Sequence, residues 1–259
     1  MSRFIEKLKK QRQQEPQPMG FLSNKSKTVK NQMLLIARIS ADVWGKLSES
    51  LTLVDAVVFD VVRADDMAAV VKAGQNNDSP PTGGWIKSSS AAVLRKAIDA
   101  ECDFLIFPSS VPVSLARQEK LGRIMELDGN LSDGLLRAAS DLPVDGFIVA
   151  SRASETVLTM QDLLHFQRIL LLVNKPLIAV ITDNFRGPEL QSLWDIGVGG
   201  VIIEASGEKA LENMAEIRAE IDKLEPPAFR KKSKITPLLP RAAASAPPPP
   251  PGHEEEEDE

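Results

Sequence analysis

Residues 123–129, RIMELDG, carry two carboxylates two positions apart, Glu126 and Asp128, on an alternation that begins with Ile124. In an extended strand such residues share one face, so both carboxylates are expected to point the same way. With Asp60 or Asp183 they form an all-oxygen set of the kind Mg²⁺ prefers, and a bound metal would polarise a carbonyl or stabilise an enolate. The plainer reading is that these acids cap loops or pair with Arg63, Lys87 or Arg152. Lys87, at the end of GGWIK beside apolar Trp85, is a candidate imine-forming amine where a dry wall lowers its pKa, and otherwise an ion-pair partner. Arg152, Arg186, Ser206 and a helix N-terminus at Gly207 suit a substrate phosphate or carboxylate, since a guanidinium fork and helix N–H groups both receive anions. Loop arginines are also ordinary surface residues.

Several familiar chemistries lack their residues. The chain has two histidines, one cysteine and no tyrosine. His165 falls mid-helix between Leu164 and Phe166 and reads as a packed or surface residue. Cys102 begins a strand and reads as a small buried hydrophobe. No Ser-His-Asp set, zinc spacing, phosphate-binding GxxxxGK loop or GxGxxG opening a helix is present. Acid–base work therefore falls to Lys87, Glu126 and Asp128, the candidate catalytic residues.

These residues need elements to hold them. Short apolar, β-branched runs occur at 33–39, 54–61, 84–87, 102–107, 123–128, 144–150, 177–181 and 198–204. Helix-like segments such as DDMAAVVKAG, SSAAVLRKAIDAE, ETVLTMQDLLHFQRILLLVN and PELQSLWDIG lie between them. Near-continuous apolar strands alternating with helices indicate an α/β fold with a parallel sheet covered on both faces. Eight such units predict a (β/α)8 barrel over residues 31–224, with an open doubly wound sheet as the alternative. Lys87, Glu126, Arg152 and Glu204 then stand at or near C-terminal strand ends, the functional mouth of a barrel.

Charge divides the chain. Residues 1–30 hold eight Lys/Arg against two Asp/Glu, and read as a flexible basic arm in which Phe4, Ile5 and Leu8 share a short helical stripe. A membrane-surface or partner-binding helix is the other reading of that stripe. Residues 31–224 hold 18 against 27, net −9 within the chain's −5. An acidic middle argues against a nucleic-acid partner. Residues 225–259 run from a basic patch through Pro/Ala to six consecutive acids, a composition expected to be disordered and a candidate tether for a protein partner. No apolar run approaches the roughly 18 residues of a membrane span, and one cysteine suits a reducing compartment. A cytoplasmic protein is expected.

The segments LWDIGVGGVIIE and AIDAECDFLIFPSS resemble, in wording, the closing strand and fourth-strand entry of phosphate- and flavin-binding barrel enzymes. The keto-deoxy-phosphogluconate-type aldolases and thiamine-phosphate synthases belong to that group. The likeness extends over 31–224 in layout alone. It implies a barrel that takes a small anionic, phosphorylated metabolite and acts as a lyase or isomerase, with flavin mononucleotide (FMN) as a conceivable ligand. The chain also departs from the pattern. The eighth strand ends in Glu204 and continues ASGEKA where that group has a phosphate-binding Gly-Ser pair. Glu204 and Glu208 flank Ser206–Gly207 and would repel an anion. The sixth strand runs into VASRAS, without the lysine of imine-forming aldolases. A barrel that has lost catalysis and recruits partners through its tails is the rival expectation.

Overall fold

A computed structural model describes residues 2–12, 32–40, 44, 52–75, 79–88, 90–100, 102–118, 120–150, 157–182, 184–205 and 210–226. Eight strands are present: β1 Leu34–Ile39, β2 Ala56–Val61, β3 Thr82–Ile86, β4 Phe104–Phe107, β5 Gly122–Glu126, β6 Gly146–Ala150, β7 Leu177–Val180 and β8 Gly200–Glu204. All neighbours pair in parallel, and β8 pairs with β1, for example Leu34 with Gly200 and Arg38 with Glu204. Closure removes the edges that an open sheet would leave, so the doubly wound alternative is set aside. The chain is a (β/α)8 barrel.

The described helices are α1 Arg3–Arg12, α2 Met67–Gly74, α3 Ala91–Asp99, α4 Val113–Ala116, α5 Asp133–Ala139, α6 Met160–Leu172, α7 Gly187–Ile196 and α8 Ala210–Lys223, with a 3-10 turn at Ala64–Asp66 before α2. Their starts follow from local chemistry. Ser90 and Ser132 accept from the amides of Val93 and Leu135, and Thr159 with Asp162 forms a reciprocal capping box, which supplies acceptors for otherwise unpaired helix N–H groups. Among the described helices none is long and apolar enough to cross a membrane.

Strand alternation separates two cores. Outward residues such as Leu35, Val57, Phe59, Leu105, Phe147 and Val201 pack under the helices. Inward residues Leu34, Ile36, Ala56, Val58, Trp85, Phe104, Ile106, Ile124, Ile148, Ile178 and Ile202 fill the barrel. The inward core also contains Phe4, Ile5 and Leu8 of α1.

That last fact corrects the expectation of a flexible arm for residues 3–12. The basic helix closes the barrel's N-terminal end. Glycines make room for it. A Cβ on Gly122 would stand 2.7 Å from both Ile5 Cγ1 and Ser2 Oγ, and one on Gly199 would stand 3.3 Å from Leu8 Cδ1. Three aspartates that directly precede even-numbered strands hold α1 in place. Asp103 accepts from Ser2 Oγ at 2.8 Å and from the amides of Arg3 and Phe4 at 2.8 and 2.9 Å, an anion on a helix N-terminus. Lys9 lies 3.4 Å from Asp145, and Lys7 donates to the Asp55 carbonyl at 3.3 Å. Lys7 and Lys9, part of the basic pattern that suggested a free or membrane-surface arm, contact the barrel's own floor. Full burial of three large apolar side chains is worth about 1.5–3 kcal/mol each, enough to dock a helix too short to persist alone. Residues 13–31 and the tail from 227 lie outside the described residues.

Candidate functional site

The opposite end of the barrel is polar. On β1 the inward series Leu34, Ile36 continues to Arg38, and on β2 the series Ala56, Val58 continues to Asp60. The two close on each other: Arg38 Nε donates to both Asp60 oxygens at 3.0 Å, and Nη2 donates to Oδ2 at 2.7 Å. Glu204, at the end of β8, has an oxygen 4.0 Å from Arg38 Nη1. The hydrogen bond from Arg38 to the Asp60 carboxylate raises the guanidinium pKa above its already high value, against the opposing effect of burial.

Trp85 is the wall of this site. Its ring is buried, with Arg38 Cζ 5.0 Å and Lys87 Nζ 3.4 Å from the ring centroid. Its Nε1 donates to Glu126 Oε1 at 2.5 Å, and Lys87 Nζ lies 3.6 Å from that same oxygen. Lys87 and Glu126 thus share one indole, with side chains 30% and 34% exposed. Burial lowers the Lys87 pKa below the ordinary amine value and the nearby Arg38 charge adds to this, while Glu126 opposes both. The result is an amine and a carboxylate side by side against an apolar face, able to exchange protons with a ligand in the mouth.

The structure brings together only part of the expected set. Lys87, Glu126 and Asp60 converge. Asp128 does not: β5 ends at Glu126, and Asp128 accepts from the backbone and side-chain nitrogens of Asn130 at 2.9 and 3.0 Å, stabilising a turn. Of the carboxylates expected to hold Mg²⁺, Glu126 and Asp60 stand at the mouth and Asp128 does not join them, each facing a different partner. Among the described residues no three His, Cys, Asp or Glu side chains are disposed to hold a metal ion. Arg186 caps α7, donating to the Phe185 carbonyl at 3.2 Å and lying 3.5 Å from Glu216 on α8. Arg152, Asp183, Ser206 and Gly207 lie outside the described residues.

The sequence pattern alone did not single out Arg38 and gave Trp85 too small a part. Arg38 lies within the apolar run 33–39, where the inward parity of Leu34 and Ile36 leads to it. Trp85 was noted only as an apolar neighbour. Thr182 has the inward parity of Ile178 and Val180 on β7, and its Oγ1 is buried with no hydrogen-bond partner among the described residues. An orphaned hydroxyl costs free energy until water or a ligand satisfies it. Elsewhere the outcome follows the expectation: His165 packs beside Gly129, and burial pushes the Cys102 thiol up to about 12.

No family model and no curated protein matches the chain. Solved structures do. The tryptophan synthase alpha-subunit from the hyperthermophile Pyrococcus furiosus is similar over 74% of this chain and 98% of its own, with 13% identity and a TM-score of 0.56. A variant of that subunit gives the same coverage and TM-score at 12% identity. At such identities the likeness shows the barrel and says nothing of the residues at its mouth.

Proposed function

We propose that the barrel mouth binds a small anionic metabolite and acts on it as a lyase or isomerase, with Lys87 and Glu126 as the proton-transferring pair. The observation that carries this reading is the Lys87–Glu126 pair on the Trp85 face, where burial holds the amine below its ordinary pKa. Arg38 and Lys87 stand among Asp60, Glu126 and Glu204, so this half of the mouth is not cationic enough to receive an anion by charge alone. The anionic group is assigned instead to the β6–β8 side, where Arg152, Arg186, Ser206 and Gly207 occur in sequence and where the Thr182 hydroxyl needs a partner.

Thermal melting of the full chain, which keeps α1 in the floor, tests this with inorganic phosphate, sugar phosphates, FMN and Mg²⁺. A ligand at about 100 times its Kd adds roughly 2.7 kcal/mol, a midpoint rise of about 5–10 °C at this size. The rise is expected with a phosphorylated carbonyl compound. It should weaken in Lys87→Met and disappear in the Arg152→Ala/Arg186→Ala double variant; a rise that survives all three substitutions overturns the assignment.

A second reading, a non-catalytic barrel that recruits protein partners through residues 225–259, draws support from Arg186. Its guanidinium is engaged with Glu216. Pull-downs with and without that tail decide it, since unchanged partners would remove the tail from consideration.

A further inference from the structure

Trp85 makes two different contacts at the mouth, one with its edge and one with its face. Only 4% of it is exposed, and its backbone on β3 is paired beside Asp60 of β2 and Ile106 of β4, so packing fixes the ring. The indole N–H is a donor only, and a buried one needs an acceptor. It finds Glu126 Oε1 at 2.5 Å. Lys87 follows Trp85 by two positions, and its amide continues the ladder to the Val61 carbonyl at 2.9 Å. Both side chains therefore share one face of the extended chain. Lys87 Nζ rests on the ring, 3.4 Å from the centroid, and lies 3.6 Å from that same Oε1. Two donors thus converge on one oxygen of the carboxylate. Among the described residues no partner is found for Oε2. Arg38, the other cation near the ring, turns its donors on Asp60 instead.

We propose that Trp85 is a positioning residue for the Lys87–Glu126 pair: its N–H and Lys87 together hold Oε1, and Oε2 is the oxygen left to meet the ligand. The inference rests on the proton-transferring role proposed above for that pair, and gives it a direction. A carboxylate oxygen that accepts from two donors has both lone pairs engaged, so a proton leaving the ligand passes to Oε2. Lys87 carries only donors while protonated and is the group that returns a proton. Burial lowers its pKa and Arg38 adds to this, against Glu126 and Asp60, and an ammonium so destabilised is the readier acid. The indole face attracts the same cation and keeps it beside the acid.

NMR titration of the ligand-free full chain tests the proposal, independently of whether any anion binds. Trp85→Phe keeps a ring under Lys87 and removes the N–H. The Lys87 pKa in wild type, Trp85→Phe, Glu126→Gln and the double variant forms a cycle. With the indole donor gone, Oε1 serves Lys87 alone. Trp85→Phe should therefore move the lysine upward relative to the change it causes in the Glu126→Gln background. Equal changes in the two backgrounds would make Trp85 mere packing and overturn the proposal. A second measurement leaves Trp85 in place and does not depend on how that variant folds. The chain has three tryptophans, and one indole ¹H–¹⁵N signal alone should shift upfield in Glu126→Gln and lose its alkaline inflection in Lys87→Met. If no indole signal responds to either substitution, the shared oxygen is absent in solution and the proposal fails. A melting midpoint raised by ligand beside an unresponsive indole overturns this inference alone. A responsive indole in a chain that no anion stabilises overturns the proposed function and leaves the positioning intact.

Discussion

The two ends of this barrel are built from the same eight strands and solve opposite problems. At the floor, glycines at Gly122 and Gly199 leave space, and Phe4, Ile5 and Leu8 fill it. Polar groups there are arranged around the plug: Asp103 on the helix N-terminus, Asp145 between Arg123 and Lys9, and Asp55 on Arg218. At the mouth the inward positions turn from isoleucine and valine to Arg38, Asp60, Glu126 and, just past β3, Lys87, with no described helix over them. Closing the floor stabilises the fold. The charged, partly exposed mouth adds little to stability and leaves an amine and a carboxylate partly open at the barrel end where enzymes of this fold place their chemistry.

That division predicts effects of graded size. The largest belongs to Phe4→Ala, which empties a site shared with Phe104, whose ring centroid is 4.5 Å away; denaturant unfolding should show a loss of about 3–5 kcal/mol. A loss below about 1 kcal/mol would mean that α1 is not part of the cooperative unit. Next comes Gly122→Ala, whose new methyl meets Ile5 and Ser2 and should cost about 1–3 kcal/mol by overpacking. Adding Ile5→Val should recover part of it, and strict additivity would show that α1 does not rest on Gly122.

Asp103→Ala removes the acceptor at the start of α1 and should cost about 0.5–2 kcal/mol. Hydrogen exchange in residues 3–12 should rise with it, and unchanged protection would separate the cap from the docking. At the mouth, Glu126→Gln should change stability by less than about 1 kcal/mol, because the pair is partly solvated. Its effect is on titration. Glu126 raises the Lys87 pKa, so its removal should move the lysine further down in a ¹³C-detected NMR titration; an upward move would contradict the arrangement.

The smallest effect is an acid dependence at the floor rim. Burial raises the Asp145 pKa, but the Arg123 hydrogen bonds and the Arg123 and Lys9 charges outweigh it and hold the carboxyl below its ordinary value. A carboxylate depressed on folding contributes stability that is present above its unfolded pKa of about 3.9 and is lost as pH falls through the lower folded value. Asp145→Asn should therefore lower stability near neutrality and flatten its decline below about pH 4, as followed by unfolding at stepped pH.

The barrel itself was legible because strands buried on both faces must be apolar almost throughout, and the eight runs from 33–39 to 198–204 each overlap one observed strand. Strand ends were less so. Extending the fifth run to Asp128 made a carboxylate pair that the turn at Asn130 dissolves. Helix starts at Ser90, Ser132 and Thr159 are local chemistry and could be read in sequence. The destination of α1 could not, because a short stripe of three apolar residues reads the same on a free arm as in a socket.

By itself, then, the sequence determined which segments are strands, that these are apolar almost throughout, and roughly where helices lie. These are decided within a few residues, by alternation and capping. Tertiary structure decided the rest. Closure of β8 on β1 brings Arg38 beside Glu204, 166 positions later, and the circular order of strands places Lys87 and Glu126 on one indole. Only the closed barrel creates the floor cavity that turns Phe4, Ile5 and Leu8 from exposed side chains into core, since burial is a property of the space around a residue and not of the residue.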